Sequence, residues 1–213
     1  MNNFLIVGNW KMNGSKKLVK KFMDFPFHRP WHLAVPSPYI TYFKSHKMIH
    51  PGAQDFYHRE SGAYTGDVSA SMILEMGAKF SIIGHSERRN HHGETNEMIK
   101  EKLLLGTGLL DKIILCVGEN EADRDSGREY NVVKQQLGIL DELESMENII
   151  IAYEPVWAIG TGSVATPKQA DDMHSFIKKH LKEKFGNVVV LYGGSVNPSN
   201  AKELSGMPNI DGF

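Results

Sequence analysis

Residues 149–154 read IIIAYE, five apolar or aromatic positions that end on Glu154. An unbroken apolar run of this length is typical of a strand that is covered on both faces of a parallel sheet. The same pattern recurs along the chain, with a weaker example at Met48–Ile49 just before Pro51. The runs are Phe4–Val7, His32–Val35, Phe80–Ile83, Lys112–Val117, Ile149–Tyr153 and Val188–Tyr192. The sequence therefore predicts seven buried strands.

Amphipathic segments lie between these runs and predict helices. They are Ser15–Lys21, Ser71–Met76, Asn96–Leu104, Glu129–Leu143 and Lys168–Lys184. The best-specified start follows Thr166, because Thr166 as N-cap, Pro167 at the first helical position and Gln169 three residues after the cap form a capping box. Strands that alternate with helices in this way predict an α/β fold with parallel strands.

Two architectures fit this alternation. A doubly wound sheet that binds a dinucleotide carries GxGxxG after its first strand, whereas this chain has GNWKMNG at 8–14. A trailing run at Ile210–Phe213 brings the strand count to eight and favours a (β/α)8 barrel, a single domain over residues 1–213. Because such barrels typically have about 250 residues, we expect the eighth strand and the final helix to be truncated or to lie outside the sequence. The first and seventh strands would then lack a neighbour.

Composition excludes several classes of protein. With 24 basic and 25 acidic residues, the net charge of −1 leaves no basic excess to drive nucleic-acid binding. The one cysteine, Cys116, excludes an intrachain disulfide framework and a cysteine-based zinc cluster, and it fits a reducing compartment. The N-terminal apolar stretch, about five residues long, is too short for a signal sequence or a membrane span. We expect a cytoplasmic protein that binds neither nucleic acid nor membrane.

Polar and glycine residues follow the predicted strands, where barrel enzymes keep their catalytic groups. They are Asn9 and Lys11, Gln54, His85–Ser86–Glu87, Glu119, Glu154, and Gly193–Gly194–Ser195. Taken singly, Lys11 reads as an exposed lysine and His85 as a buried histidine satisfied by backbone. Glu154 is harder to explain in this way, because it ends an apolar strand, where burial opposes its charge.

Two glycine loops and one histidine pair are more ambiguous. The loops Gly160–Thr161–Gly162 and Tyr192–Gly193–Gly194–Ser195 are either plain turns or, since each precedes a predicted helix, sites for a phosphate dianion. His91, His92 and Glu94 do not have the spacing of a common metal site, and we interpret them as a polar loop. Together the strand ends supply a base, a polarising group, a fixed cation and a phosphate site.

Seven segments resemble the triosephosphate isomerase family, in order and at the spacing of a barrel. They are VGNWKMNG at 7–14, GAQDF at 52–56, SGAYTGDVSA at 61–70, IIGHSERR at 82–89, ILCVGE at 114–119, AYEPVWAIGTG at 152–162 and LYGGSV at 191–196. AYEPVWAIGTG and GHSERR are highly specific, and the resemblance covers almost the whole chain.

The resemblance implies a TIM (β/α)8 barrel that interconverts dihydroxyacetone phosphate and glyceraldehyde 3-phosphate through an enediol(ate), in glycolysis and gluconeogenesis. It assigns Glu154 as the base, His85 as a neutral imidazole that polarises the carbonyl, and Lys11 as a fixed ammonium. This family is also a worked example of such an acid–base pair in general treatments of enzyme catalysis. No metal or organic cofactor is required.

The supporting residues follow from the same resemblance. Asn9 holds the substrate and Lys11, and Glu87 orients Lys11 or has a purely structural role. Gly160, Gly194 and Ser195 contact the phosphate, and Pro155–Gly162 forms a lid. The loop Asp55–Asp67 projects into a second subunit and brings Thr65 to the Asn9 and Lys11 of that subunit, which implies a homodimer.

Two other functions remain open. A related phosphosugar isomerase or aldolase barrel would need a Schiff-base lysine at a strand end or a metal cluster, and the sequence shows neither. A truncated barrel that binds phosphate ligands or partners without turnover is the non-enzymatic alternative, and the missing C-terminal elements support it.

Overall fold

The computed structural model describes residues 4–158 and 165–213, and seven strands lie within these ranges. They are β1 (Val7–Asn9), β2 (Trp31–Ala34), β3 (Ile49–Ala53), β4 (Phe80–Ile83), β5 (Lys112–Val117), β6 (Ile149–Tyr153) and β7 (Val190–Tyr192). Sheet neighbours follow the chain order from β1 to β7. The pairs β1/β2, β2/β3, β3/β4 and β6/β7 are parallel, with His32 opposite His50 and Tyr153 opposite Tyr192. This order of parallel strands is that of a TIM (β/α)8 barrel and confirms the predicted fold class.

Helices occupy most of the connections between the strands. They are α1 (Lys16–Met23), α2 (Ile40–Phe43), α3 (Ala70–Glu75), α4 (Ser86–His92), α5 (Asn96–Thr107), α6 (Glu121–Asp125), α7 (Glu129–Leu137), α8 (Pro167–Phe185) and α9 (Ala201–Ser205). The capping box at the start of α8 is confirmed. The hydroxyl of Thr166 accepts the Gln169 N–H at 3.2 Å, and the Gln169 side chain accepts the Thr166 N–H at 2.9 Å. Within the described ranges, no helix combines the length and the apolar character that crossing a membrane requires.

Several predicted boundaries are wrong by a few residues. β1 is Val7–Asn9 rather than Phe4–Val7, and β3 extends through Pro51 to Ala53 rather than stopping at Ile49. The helix predicted over Glu129–Leu143 ends at Leu137 and continues as a single 3-10 turn to Leu140. In each case backbone pairing or a tightened last turn overrides the local apolar pattern.

The chain divides into two compact units. The N-terminal unit comprises Ile6–Ile83 and Met98–Ile114, and the C-terminal unit comprises Met1–Leu5, Gly84–Glu97 and Leu115–Phe213. Buried aliphatic and aromatic side chains form the core of each unit. In the N-terminal unit these include Leu33, Ile40, Phe43, Ile73 and Phe80, and in the C-terminal unit Val133, Ile151, Tyr153, Ile177 and Tyr192.

The end of the chain pairs with two other segments of the C-terminal unit. Gly212 forms one parallel bridge to Leu5 and another to Leu191. The Leu5 N–H donates to the Asp211 carbonyl at 3.0 Å, and the Tyr192 N–H donates to the Gly212 carbonyl at 3.0 Å. Gly212 therefore forms isolated bridges where the eighth strand is expected. The expectation that the seventh strand would lack a neighbour is wrong, because Gly212 pairs with Leu191 of β7. On the other side Gly212 pairs with Leu5, which lies within the predicted first strand Phe4–Val7 but before β1.

Candidate active site

His85 lies directly after β4 and Gly84, as the N-cap of α4. Its Nδ1 accepts the N–H of Glu87 at 3.2 Å, which requires that this ring nitrogen carry no proton. Its Nε2 lies 2.8 Å from Oε1 of Glu154 and has the geometry of a donor to that carboxylate. These two contacts match the hydrogen-bonding pattern of an imidazole that carries its hydrogen on Nε2.

Glu154 follows β6 and is only 3% exposed. Its Oε2 accepts the N–H of Ser86, the first residue of α4, at 2.8 Å, while Oε1 faces the His85 ring. Free backbone N–H groups at a helix start stabilise a nearby negative charge. Both carboxylate oxygens are therefore hydrogen-bonded at the end of β4, and His85 and Glu154 are brought into direct contact.

Glu119, which follows β5, is a buried carboxylate that accepts three hydrogen bonds on one oxygen. The donors to its Oε1 are the Tyr153 hydroxyl at 3.0 Å, the Trp157 indole at 2.8 Å and the Arg124 guanidinium at 2.9 Å. Burial, together with the charge of Glu119, raises the pKa of Tyr153 far above its usual range. Since Tyr153 and Trp157 flank Glu154 in sequence, Glu119 fixes the chain on both sides of the candidate base.

Arg89 joins the ends of β4 and β5. Its guanidinium donates to the carbonyl of Gly84 at 2.8 Å, to the carbonyl of Cys116 at 3.2 Å and to Oδ1 of Asn96 at 2.7 Å. Burial lowers the pKa of Arg89, against the opposing influence of Cys116, Glu154 and Glu94.

The candidate cation, Lys11, follows β1 in the N-terminal unit. It is the one non-glycine residue of the described chain with a positive φ, 50°, a conformation that costs energy for a residue with a Cβ. The Lys11 N–H donates to Oδ1 of Asn9 at 2.9 Å. The amide of Gln54, after β3, donates to Oδ1 of Asn9 at 3.1 Å and to the carbonyl of Lys11 at 2.8 Å. Asn9 and Gln54 therefore hold the backbone of Lys11 in its strained form.

The predicted phosphate contacts are only partly within the described chain. Gly194 and Ser195 follow β7, and Ser195 is exposed. The helix that follows this glycine loop, α9, begins at Ala201 and is five residues long. Gly160 and the second half of the predicted lid, Pro155–Gly162, lie outside the described residues. Val156–Ala158 forms a 3-10 turn.

Glu87, the histidine pair and Thr65 complete the predicted set. Oε2 of Glu87 lies 3.7 Å from Nδ1 of His85. The interpretation of His91 and His92 as loop residues is wrong, since both belong to the last turn of α4. Among the residues the structure describes, no three His, Cys, Asp or Glu side chains are grouped so as to hold a metal ion. Thr65 is exposed, in the loop between β3 and α3.

Three supporting residues had no assigned role from the sequence. The sequence marks Gln54 and Glu119 only as polar residues after strands, and it does not mark Gln136 on α7. For Gln54 and Glu119 the position just after a strand is the signal in the sequence, whereas Gln136 lies within α7 and has no such signal. The partners of all three are distant in sequence and become evident only from the fold.

Comparison with known proteins agrees with this geometry. A family model described as triosephosphate isomerase matches residues 4–213. The chain is 40% identical over 226 residues to a triosephosphate isomerase of Coxiella burnetii (strain Dugway 5J108-111), with 98% of this chain and 89% of that protein covered. It is 42% identical over 230 residues to a triosephosphate isomerase of Herminiimonas arsenicoxydans, with 100% and 92% covered. For a triosephosphate isomerase of Sodalis glossinidius (strain morsitans) the identity is 42% over 229 residues, with 100% and 90% covered. With its strand order, its paired His85 and Glu154 and this similarity over the full length, the chain belongs to the triosephosphate isomerase family.

Proposed function

We propose that this chain interconverts dihydroxyacetone phosphate and glyceraldehyde 3-phosphate, with Glu154 as the base, His85 as the electrophile and Lys11 as a fixed cation. The isomerase activity follows from family membership, and the residue roles are our assignment. The observation that supports the roles best is the contact of 2.8 Å between Nε2 of His85 and Oε1 of Glu154. It joins a buried carboxylate to a neutral N–H donor, the two groups that a proton transfer next to a carbonyl needs.

The reaction requires a change of partners at His85. In the structure its Nε2–H faces Glu154, and in the substrate complex the carbonyl oxygen takes the place of the carboxylate as acceptor. The released Glu154 removes a proton from the carbon beside the carbonyl, and the electron pair left behind forms a carbon–carbon double bond. The carbonyl oxygen becomes the enediolate oxygen, which the His85 N–H stabilises. The enediolate oxygen then takes the proton of the His85 Nε2–H, and the ring regains a proton from the hydroxyl on the adjacent carbon. Glu154 returns its proton to the former carbonyl carbon as the second oxygen forms the new carbonyl, which completes the isomerisation.

Lys11 contributes charge rather than proton transfer. A fixed ammonium stabilises both the phosphate dianion and the oxygen that gains negative charge during the reaction, and a site closed to water makes that stabilisation larger. The strained backbone of Lys11, held by Asn9 and Gln54, supports this role, because strain of this kind is concentrated at functional sites. We also assign Glu87 as a residue that supports the site.

We assign the binding of the substrate phosphate to the backbone of Gly160 and Gly194 and to Ser195. The support is the position of Gly194 and Ser195 directly after β7, in the same unit as His85 and Glu154. Pro155–Gly162 is assigned as the lid that excludes water from the enediolate. No metal or organic cofactor enters this scheme.

We further propose that residues 1–213 form one barrel domain that works as a homodimer in the cytoplasm. The family model spans both units, which supports the single domain. Met12 is 96% exposed and Tyr64 is 40% exposed, in the two N-terminal loops that would meet the second subunit. Large apolar side chains left in water at these positions favour a covering partner.

Turnover of glyceraldehyde 3-phosphate by the purified chain, measured in a coupled assay, tests the proposal. We expect activity that is lost in Glu154→Gln, while an unreactive phosphate-bearing substrate analogue still binds to that variant. Binding of the analogue by the unmodified chain without any turnover would instead favour the non-catalytic phosphate-binding barrel.

A further inference from the structure

The peptide of Gly118 is held by a side chain rather than by the sheet. Oε1 of Gln136, on α7, accepts the Gly118 N–H at 2.7 Å, and Nε2 of the same amide donates to the Gly118 carbonyl at 3.0 Å. β5 ends one residue earlier, at Val117, whose carbonyl is already bonded to the N–H of Glu154 at 2.8 Å. Gln136 therefore supplies both backbone hydrogen bonds at the first residue after β5.

Gly118 is packed directly against the backbone of Glu154. A Cβ added at Gly118 would overlap the carbonyl oxygen of Glu154, so only glycine fits at this position. The next residue, Glu119, binds Tyr153 and Trp157 on the two sides of Glu154. A displacement of the Gly118 peptide is therefore transmitted to Glu154 directly and through Glu119.

One side of Gly118 faces a cavity, while the other side packs against Glu154. Gly118, Gln136 and Glu154 all line a cavity of about 230 Å³ in the C-terminal unit, together with Ser86 and Cys116. A peptide on the wall of a cavity has fewer packing contacts than one in a close-packed core, so its position depends more on its hydrogen bonds. On the side that faces the cavity, the two hydrogen bonds from Gln136 therefore hold the Gly118 backbone in place.

We propose that Gln136 is a positioning residue for the base, acting on Glu154 through the Gly118 peptide. This inference rests on the proposed function, because it assigns the geometry of the base to a residue that touches neither substrate nor carboxylate. A misplaced base weakens proton transfer more than binding, since binding depends mainly on the phosphate and its cation. Loss of the amide should therefore lower kcat and leave KM nearly unchanged.

Two substitutions at Gln136 separate positioning from simple stability. Gln136→Leu removes both hydrogen bonds at similar volume, and we expect kcat to fall by roughly tenfold to a hundredfold with KM within about twofold. Gln136→Glu keeps an acceptor for the Gly118 N–H but adds a carboxylate to the cavity that Glu154 also lines. Like charges oppose ionisation, so the acidic limb of the kcat/KM profile should move to higher pH.

The matched control is Gln135→Leu, at the neighbouring exposed position of α7. It makes the same chemical change on the same helix and should leave kcat, KM and the pH profile unaltered. A Gln136→Leu variant with the kcat of this control would overturn the inference. If circular dichroism shows that Gln136→Leu does not fold, Gln136→Glu is the deciding variant. An unchanged kcat and an unshifted acidic limb in Gln136→Glu would then overturn the inference in the same way.

Inactivity of the unmodified chain would overturn the proposed function and this inference together, whereas an active chain whose turnover does not depend on Gln136 overturns the inference alone.

Discussion

The chain segments that carry Lys11 and Glu154 are restrained in different ways. Lys11 has a left-handed backbone, which hydrogen bonds with Asn9 and Gln54 hold in place. The next residue, Met12, is almost fully exposed in the N-terminal unit. Glu154 has no positive φ, is 3% exposed and bonds through its side chain to Ser86 and His85. The first arrangement stores strain and leaves neighbouring apolar surface open, while the second is complete within its own unit. We therefore expect the Lys11 segment to depend on a second subunit and the Glu154 segment to depend on internal hydrogen bonds.

The largest effect on turnover is expected at Glu154, whose segment is held by internal hydrogen bonds. Glu154→Asp keeps the charge but withdraws the carboxylate by one methylene, and we expect kcat to fall by at least about a hundredfold with little change in the affinity of a phosphate-bearing inhibitor. Coupled assays and inhibitor titration measure the two quantities. Glu147→Asp, at an exposed position before β6, is the control. A near-normal kcat in Glu154→Asp would remove Glu154 from the role of base.

Low pH should lower the stability of the C-terminal unit, because the buried His174 must take up a proton. Burial lowers the pKa of His174, on α8, from 6.5 to about 4. The unfolded chain therefore binds this proton more tightly than the folded chain, so stability falls as the pH drops below about 6.5, and this loss is complete below about 4. The full loss corresponds to about 3 kcal/mol.

Urea unfolding at pH 7 and pH 4.5 checks this expectation. His174→Gln cannot titrate but can still donate to the carbonyl of Asn209, the partner of the His174 ring. It should lose less stability between the two pH values than the unmodified chain, by up to the amount given above. His91→Gln, at an exposed position of α4, should behave as the unmodified chain does. Equal losses in His174→Gln and the unmodified chain would contradict the expectation.

At the strained segment the expected effect is on binding. Lys11→Met removes the ammonium but keeps an unbranched apolar chain, and loss of one charge-assisted contact should weaken a phosphate-bearing inhibitor by about tenfold or more. The salt dependence of inhibitor binding should weaken as well. Lys16→Met, exposed at the start of α1, is the control. Unchanged inhibition in Lys11→Met would place Lys11 outside the site.

The smallest effect on turnover is expected where the second subunit would contribute. Thr65→Glu places a charge in the loop that we expect to enter the partner, so sedimentation should show monomers and kcat should fall several-fold. Thr41→Glu, exposed on α2, tests for a general effect of added charge. An unmodified chain that is monomeric at micromolar concentration would end the dimer proposal, and with it the contrast between an open segment and an internally restrained one.

The sequence predicted strands best where the sheet buries both faces. β4, β5 and β6 match their predicted limits, because their apolar runs coincide with full burial. β1 was misplaced since Gly8 and Asn9 have weak strand preference, yet they pair with Leu33 and Ala34. α4 is short and polar, so no apolar period marks it, and only its start beside His85 was anticipated.

For the site, the sequence identified residue types but not their supports. His85 and Glu154 were both assigned roles from the family resemblance, but their mutual hydrogen bond was not anticipated. The three donors that converge on Glu119 and the bidentate amide of Gln136 join residues that are at least five positions apart in sequence and lie on different elements. No local pattern records such pairs, because they are set by where the strands end in space.

The bridge between Leu5 and Gly212 also bears on the order of folding. Its two partners lie far apart in sequence, so this pairing closes a very long loop. Long loops cost more entropy to close and contacts of this kind slow folding. During synthesis Leu5 leaves the ribosome first and must wait for Gly212, while β1 to β4 can already pair with their neighbours in chain order. We therefore expect this bridge to form late, after the N-terminal unit has acquired its core.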